Sequence, residues 1–403
     1  MCKKKKGRWT AMRIGIFTDS YVPQVNGVSV SCMNLYKGLT MLGNDVYVIT
    51  TDHRAKTDAA DTHIIRLEGF DVPLKNFDGF QLVPAANKYY KLIQSMNFDV
   101  IHVHTEFSIG RFGIRCSKKY KIPYVYTMHT MYEDYMHFVI KFGKPLLKKP
   151  YLSYIETMMR WICKKSSAIV IPHEKVRDMF IRYDLSKDNK IHVIPTGIDL
   201  DKFYRKRYSE EEIAALKESL GLKDEFVILS VGRVAFEKSI DVMIKEYDKI
   251  ARKVNAKFVI VGDGPAKESL VKLVEELKLE DYVIFTGMVP YANIGLYYMI
   301  GDCFVNASIT ETQGLTYIEA LSSNLPIVVR YDKNLDGLIT DRENGLFYND
   351  PSEFSDKVLE LINNKELLMH LKDNAYKTAK VYSKQNYAET INNLYKSILE
   401  NKK

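Results

Sequence analysis

Short apolar runs alternate with amphipathic stretches along nearly the whole chain. Runs rich in β-branched residues predict strands at Arg13–Thr18, Asp45–Thr50, Val100–Val103, Tyr124–Thr127, Ala168–Ile171 and His192–Ile194. A second series follows at Phe226–Val231, Lys257–Val261, Tyr282–Phe285, Cys303–Val305 and Pro326–Val329. Apolar positions at helical spacing predict helices between them, among others Val28–Leu42, Arg111–Tyr120, Ser239–Lys253 and Ala266–Leu277. The strands are apolar at successive positions, so both of their faces are covered, as in parallel sheets flanked by helices. Two such series predict an α/β protein of two doubly wound, Rossmann-like domains.

The break between the series falls at Pro195-Thr196-Gly197-Ile198-Asp199, followed by the charged segment 201–225. This sets an N-terminal domain of 1–197 and a C-terminal domain of 198–381. The last segment carries Ile391, Leu394, Tyr395 and Ile398 at helical spacing. It either completes the second domain or, as a helix within 382–403, crosses back onto the first.

At 403 residues the chain is long for one compact domain, and 46% hydrophobic with 27% charged residues is a globular balance. No run reaches the roughly 18 apolar residues of a membrane span. Lys3–Lys6 have no apolar stretch behind them and do not read as a secretory signal. Five scattered cysteines without a CxxC pair point to reduced thiols and away from a disulfide framework or zinc site. The net charge of +8 is uneven. Residues 1–200 hold 30 Lys+Arg against 18 Asp+Glu, and residues 111–165 alone hold 12 against 3. Such a field favours an anionic partner.

Open α/β sheets bind ligands at the carboxyl ends of their strands. After the first strand, Asn26-Gly27-Val28 lets backbone approach a ligand at a helix entry, although the dinucleotide spacing is absent and a tight turn explains the pair equally well. After Phe226–Val231, Gly232-Arg233 and Lys238 place two cations beside a helix start, a pattern suited to a diphosphate. A solvated basic pair is the plainer reading of the same residues. Val261-Gly262-Asp263-Gly264-Pro265 is a second strand-end loop. The most specific segment is Glu311-Thr312-Gln313-Gly314-Leu315-Thr316-Tyr317-Ile318-Glu319. It sets two carboxylates eight residues apart, able to accept from sugar and ribose hydroxyls, with Gly314 and Leu315 offering amides.

Taken together and in order, these segments resemble the family 4 retaining glycosyltransferases of GT-B fold, two Rossmann-like domains with a cleft between them. The resemblance implies donor binding by Gly27, Gly232, Arg233, Lys238, Gly264, Glu311, Gly314, Leu315 and Glu319. Arg233 and Lys238 would hold the diphosphate, Glu311 the sugar and Glu319 the ribose. Phe17-Thr18-Asp19-Ser20-Tyr21, His104-Thr105-Glu106-Phe107-Ser108 and Met128-His129-Thr130-Met131-Tyr132-Glu133-Asp134-Tyr135 are similar to bacterial diacylglycerol glucosyltransferases. That likeness implies UDP-glucose as donor and diacylglycerol as acceptor. It places His129 beside the donor sugar, a catalytic group with Arg233, Lys238 and Glu311. Asp19, Asn26 and Glu106 become the acceptor-side candidates.

Residues 136–165 interleave Lys141, Lys144, Lys148, Lys149, Arg160, Lys164 and Lys165 with Phe138, Phe142, Tyr151, Tyr154 and Trp161. This describes an amphipathic surface for an anionic membrane, or else an ordinary helix with solvated lysines. Lys141, Lys144, Lys148, Lys149 and Trp161 are the membrane-binding candidates. The expected place is the cytoplasmic face of the cell membrane, as a peripheral protein. No nucleic-acid module is recognisable. His102, His104 and Glu106 resemble a metal cluster, but His102 and His104 share one face of a strand with no third ligand of suitable spacing nearby, and Asp199-Leu200-Asp201 sits in the linker. The expectation is therefore no metal site and no required cofactor, with Mg2+ as an optional activator. Three rivals stay open: another nucleotide sugar with a different lipid or polysaccharide acceptor, an epimerase or phosphorylase of similar architecture, and a non-enzymatic peripheral membrane protein.

Overall fold

The computed structural model describes residues 4–5, 8–9, 11–24, 26–52, 61–71, 81–84, 86–129, 148–308 and 311–401; side chains at 4–5, 8–9, 148–149 and 189 fall outside that description. The chain forms two compact units, Met1–Gly197 with Lys384–Lys403, and Ile198–Ser383.

The first unit is built on seven parallel strands: β1 Arg13–Phe17, β2 Asp45–Thr51, β3 Ile64–Leu67, β4 Val100–Val103, β5 Tyr124–Thr127, β6 Ala168–Ile171 and β7 Ile191–Val193. Their order is β3-β2-β1-β4-β5-β6-β7, so the winding reverses between β1 and β4. Ile14, Ile16, Val100, Ile101 and Val103 are all fully buried, which requires cover on both faces. Helix α1 (Gly27–Met41) follows β1, α2 (Ser108–Tyr120) follows β4, and α3 (Lys148–Cys163) precedes β6. The sequence pattern misses β3, an edge strand whose residues are mostly only half-buried and so give a weak apolar run.

The terminal helix Lys384–Asn401 belongs to this unit. Tyr387, Ala388, Ile391, Leu394 and Tyr395 form its buried stripe and join Met12, Ile14, Ile16 and Leu35 in one apolar cluster. Gly38 of α1 sets the approach of the two helices. A Cβ built there lies 2.5 Å from Ala388 Cβ and 3.0 Å from the Lys384 carbonyl oxygen. Asn44 donates to Asn392 across the same seam at 3.1 Å.

The second unit has six parallel strands: β8 Phe226–Val231, β9 Ala256–Val261, β10 Val283–Gly287, β11 Cys303–Asn306, β12 Ile327–Arg330 and β13 Gly345–Tyr348. Their order is β10-β9-β8-β11-β12-β13, with the reversal between β8 and β11. Helices α4 (Ile240–Ala251), α5 (Lys267–Glu276) and α6 (Leu315–Ser322) follow β8, β9 and β11. Two apolar clusters cover the sheet, one around Leu229, Val259 and Phe304, the other around Ile228, Phe258 and Val305. Alternate residues of β8, β9 and β11 thus point to opposite faces. The short edge strand β13 also escapes the sequence pattern, because Gly345 opens it and only four residues pair.

Gly38→Val inserts volume where α1 and the terminal helix nearly touch, and overpacking of this kind destabilises by about 1–3 kcal/mol. The first unit is expected to melt at lower temperature in a calorimetric scan, with the second unit's transition unmoved. An unchanged first transition would mean that the seam is loose.

Candidate active site

At the winding reversal of the second unit, the loops after β8 and β9 are locked together through backbone. Val234 N donates to Asp263 O at 2.9 Å, and Ala266 N donates to Val234 O at 3.0 Å. Side chains have no room here. A Cβ at Gly262 would sit 1.9 Å from Gly232 O, and one at Gly264 would sit 2.4 Å from Val234 O. Both glycines have positive φ, +140 and +156. Gly264, expected to contact the donor, is accounted for by this packing. Gly232 differs: it has φ +145, but a Cβ there would meet only Thr316 Cγ2 at 4.0 Å, so its surroundings are open.

The two cations after β8 are paired with carboxylates. Arg233, half exposed, donates to Glu237, and Lys238 donates to Glu311. The structure therefore brings together two of the residues singled out from sequence, 73 positions apart. Ser239 follows Lys238 in a left-handed conformation, φ +51, which costs an L residue roughly 1–2 kcal/mol. Glycine would hold this turn without that strain. Glu237 was not foreseen; its only sequence signal is its place four residues after Arg233.

Gly314, with φ +73, caps the start of α6, and a Cβ there would collide with the Tyr317 ring at 2.3 Å. Leu315 is the first helical residue and is partly buried. Glu319 lies one turn further in and is 5% exposed. Tyr298 OH donates to its Oε2 at 2.8 Å. Burial pushes its carboxyl up to about 7, against the pull of Tyr298, Lys202 and Tyr291. Lys202 in turn donates to the Tyr291 carbonyl and lies over the Tyr291 ring at 3.1 Å.

In the first unit, polar groups gather at the ends of β1, β4 and β5. Asp19 is fully buried and accepts from Thr105 Oγ1 (2.6 Å), Ser108 Oγ (2.5 Å), Ile109 N (2.8 Å) and Gly110 N (3.3 Å). Burial pushes its carboxyl up, and these four bonds pull it back. The expectation that Asp19 meets the acceptor is corrected: its oxygens satisfy the amides that open α2. Asn26 and Glu106 also have scaffold partners. Asn26 Oδ1 accepts from Ser29 N at 2.9 Å, capping α1, and Asn26 donates to Ser20 Oγ at 2.8 Å. Glu106 is buried and accepts from Tyr126 OH. Gly27 is the exposed first residue of α1.

His129 follows β5 and is partly buried, and its Nε2 lies 3.0 Å from His104 Nδ1. The two rings stack at 5.3 Å. His102 uses both nitrogens, on Tyr395 OH (2.5 Å) and Thr127 Oγ1 (2.6 Å). Burial drives all three imidazoles toward neutrality, His102 to about 3 and His129 to about 4, with His104 well below its ordinary value. Among the described residues no three His, Cys, Asp or Glu side chains are grouped to hold a metal ion.

Lys141 and Lys144 lie outside the described residues, as do the side chains of Lys148 and Lys149. On α3, Tyr154 and Trp161 are 55% and 47% exposed, and Lys164 and Lys165 just beyond it are exposed. Arg160, counted from sequence with the surface cations, is engaged otherwise. It pairs with Glu156 and donates to the Tyr183 and Asp184 carbonyls. Among the described residues no helix is long and apolar enough to cross a membrane.

Residues 25–202 match the model of Glycosyltransferase Family 4, and residues 212–378 that of Glycosyl transferases group 1. The chain is 40% identical to the alpha-monoglucosyldiacylglycerol synthase of Acholeplasma laidlawii, over 96% of this chain and 98% of that protein. It is 35% identical to the protein of the same name from Streptococcus pneumoniae, over 87% of this chain and 78% of that one. In fold it is similar to Anabaena HepE in complex with UDP and glucose, with a TM-score of 0.76 at 19% identity, covering 96% of this chain and all of that one.

The raised carboxyl of Glu319 makes stability depend on pH. Its folded pKa of about 7 exceeds the ordinary 4.5, so its contribution is fully present below the lower value and lost as pH rises through the upper. Glu319→Gln stays neutral throughout. It is expected to raise the melting temperature above that of the parent at pH 8 and to lose the advantage at pH 5. An equal shift at both pH values in a melting series would show that Glu319 does not titrate in this way.

Proposed function

The chain belongs to the family 4 glycosyltransferases of GT-B fold, and from that premise we propose that it transfers glucose from UDP-glucose to the free hydroxyl of 1,2-diacylglycerol, with retention. The observation that carries the donor side is the pairing of Lys238 with Glu311 beside Arg233 at the winding reversal. These are the charges a nucleotide sugar needs. The two cations face the diphosphate, whose negative charge grows as the glycosidic bond breaks. Glu311 accepts from hydroxyls of the sugar, and Glu319 from the ribose. A diphosphate carries more charge than one carboxylate, so it displaces Glu237 and Glu311 from their cations and leaves Glu311 free to accept. The departing phosphate takes the acceptor proton. His129, uncharged, contacts the transferred sugar. Neutralisation falls to Arg233 and Lys238, and Mg2+ has at most the part of an activator.

The names of the curated relatives support the acceptor. A lipid acceptor stays in its bilayer, so the enzyme has to work at the membrane surface. The excess of cations in 111–165, with exposed Trp161 and Tyr154, suits a peripheral protein on the anionic cytoplasmic face. Nucleic acid has no part in this reading.

Labelled UDP-glucose supplied with diacylglycerol vesicles is expected to give monoglucosyldiacylglycerol, and none without the lipid. Arg233→Ala and Lys238→Ala should each lower kcat/KM by about 2–4 kcal/mol of transition-state stabilisation, roughly 30- to 1000-fold. Normal turnover in both folded variants would remove them from the donor site.

Replacing Lys141, Lys144, Lys148 and Lys149 together by Glu should release the protein from anionic vesicles, because each cation near such a surface contributes about 1 kcal/mol. UDP-glucose binding in solution should persist. Unchanged sedimentation with anionic vesicles would make this stretch a solvated face.

A further inference from the structure

His104 and His129 present a proton-counting problem. Burial keeps both rings neutral, so each carries one N–H. Their facing atoms, His104 Nδ1 and His129 Nε2, are 3.0 Å apart. Two bare nitrogens would repel across that gap, and two N–H groups would clash. One ring therefore donates and the other accepts.

The far side of His104 decides which. His104 is 1% exposed, and its Nε2 is buried with no hydrogen-bond partner among the described residues. If His129 donated, the one proton of His104 would sit on that Nε2, a buried N–H with nothing to receive it. Orphaned buried N–H groups are rarer in proteins than under-used acceptors. If His104 donates, its proton lies on Nδ1 in the bond, and Nε2 is left as a bare lone pair. His102 cannot relieve the orphan, since its own nitrogens are engaged by Tyr395 and Thr127; its ring lies against His104, centroids 4.1 Å apart and tilted by 41°.

We propose that His104 is a positioning residue: by donating from Nδ1 to His129 Nε2 it fixes the proton of His129 on Nδ1, so that His129 offers the transferred sugar a hydrogen-bond donor. This rests on the reading that His129 contacts the donor sugar. In this state His129 holds an oxygen of the sugar in place by donation. It does not act as a base through Nε2, whose lone pair is engaged by His104. The terminal helix takes part indirectly, because Tyr395 holds His102, which backs His104.

The test is 15N NMR of the imidazoles in the full-length parent protein, joined to kinetics of two variants. In the parent, His129 Nε2 is expected in the unprotonated range and Nδ1 in the protonated range. A proton on Nε2 would overturn the proposal without any variant being made. His104→Leu removes the donor without adding a charge, so it should release His129 from the parent tautomer and shift its proton toward Nε2. It should lower kcat about tenfold, the loss of one transition-state hydrogen bond, with the Kd for UDP unchanged. His104→Asn, which can still donate, should keep the parent tautomer and most of the turnover. A switched tautomer with unchanged kcat would overturn the positioning role. Normal turnover in His129→Ala would instead remove His129 from the donor site, and the tautomer measured in the parent would separate that failure from this one.

Discussion

Burial of both faces of a parallel sheet keeps charge out of the middle of its central strands. Ile14, Ile16, Val100, Ile101 and Val103 in one unit, and Ile228, Leu229, Val259, Ile260 and Val305 in the other, leave no water-facing side. Polar chemistry is therefore pushed to the strand ends, and most of it lands where the winding reverses and two successive loops part. In the first unit that point collects Asp19, His104 and the start of α2. In the second it collects Gly232, Arg233, Lys238, Glu311 and the start of α6. The placement of every residue assigned to donor chemistry follows from this exclusion.

The two cations that follow β8 are each paired with a carboxylate. Arg233 is half exposed while its partner Glu237 is nearly buried, so the pair joins a solvated cation to a carboxylate held by the protein. Lys238 and Glu311 are both largely shielded, and each keeps the other from being an uncompensated charge. Backbone supplies the rigidity. The bonds between the loops after β8 and β9 need Gly262 and Gly264 bare, and they fix Val234 beside Arg233.

The first unit manages its polar groups differently. It neutralises them. Asp19 faces four donors, two of them amides at the start of α2, and three imidazoles are kept uncharged by burial. A neutral histidine directs one hydrogen bond without adding charge. The excess of cations of this unit falls, in sequence, within 111–165.

Sequence alone determined the two α/β series and the strand-end segments, because apolar runs bounded by Gly, Pro and charged residues reflect local rules of backbone and burial. It read eleven strands of the two large sheets, and missed β3, whose residues are mostly half-buried, and β13, which Gly345 opens. It read Gly232, Arg233, Lys238, Glu311 and Glu319 as one set only through their resemblance to a family, since no local rule links positions 73 apart. Tertiary structure decided the rest. It put Tyr395 of the terminal helix against His102, where the sequence left the helix free to join either unit. It turned Asp19 from an acceptor-side candidate into a buried cap, and it tied exposed Arg160 to Glu156 and to the Tyr183 and Asp184 carbonyls. The reason is the same in each case: a carboxylate or guanidinium looks alike in any sequence, and only the donors and acceptors that folding brings to it from distant segments decide whether it faces a ligand or the protein.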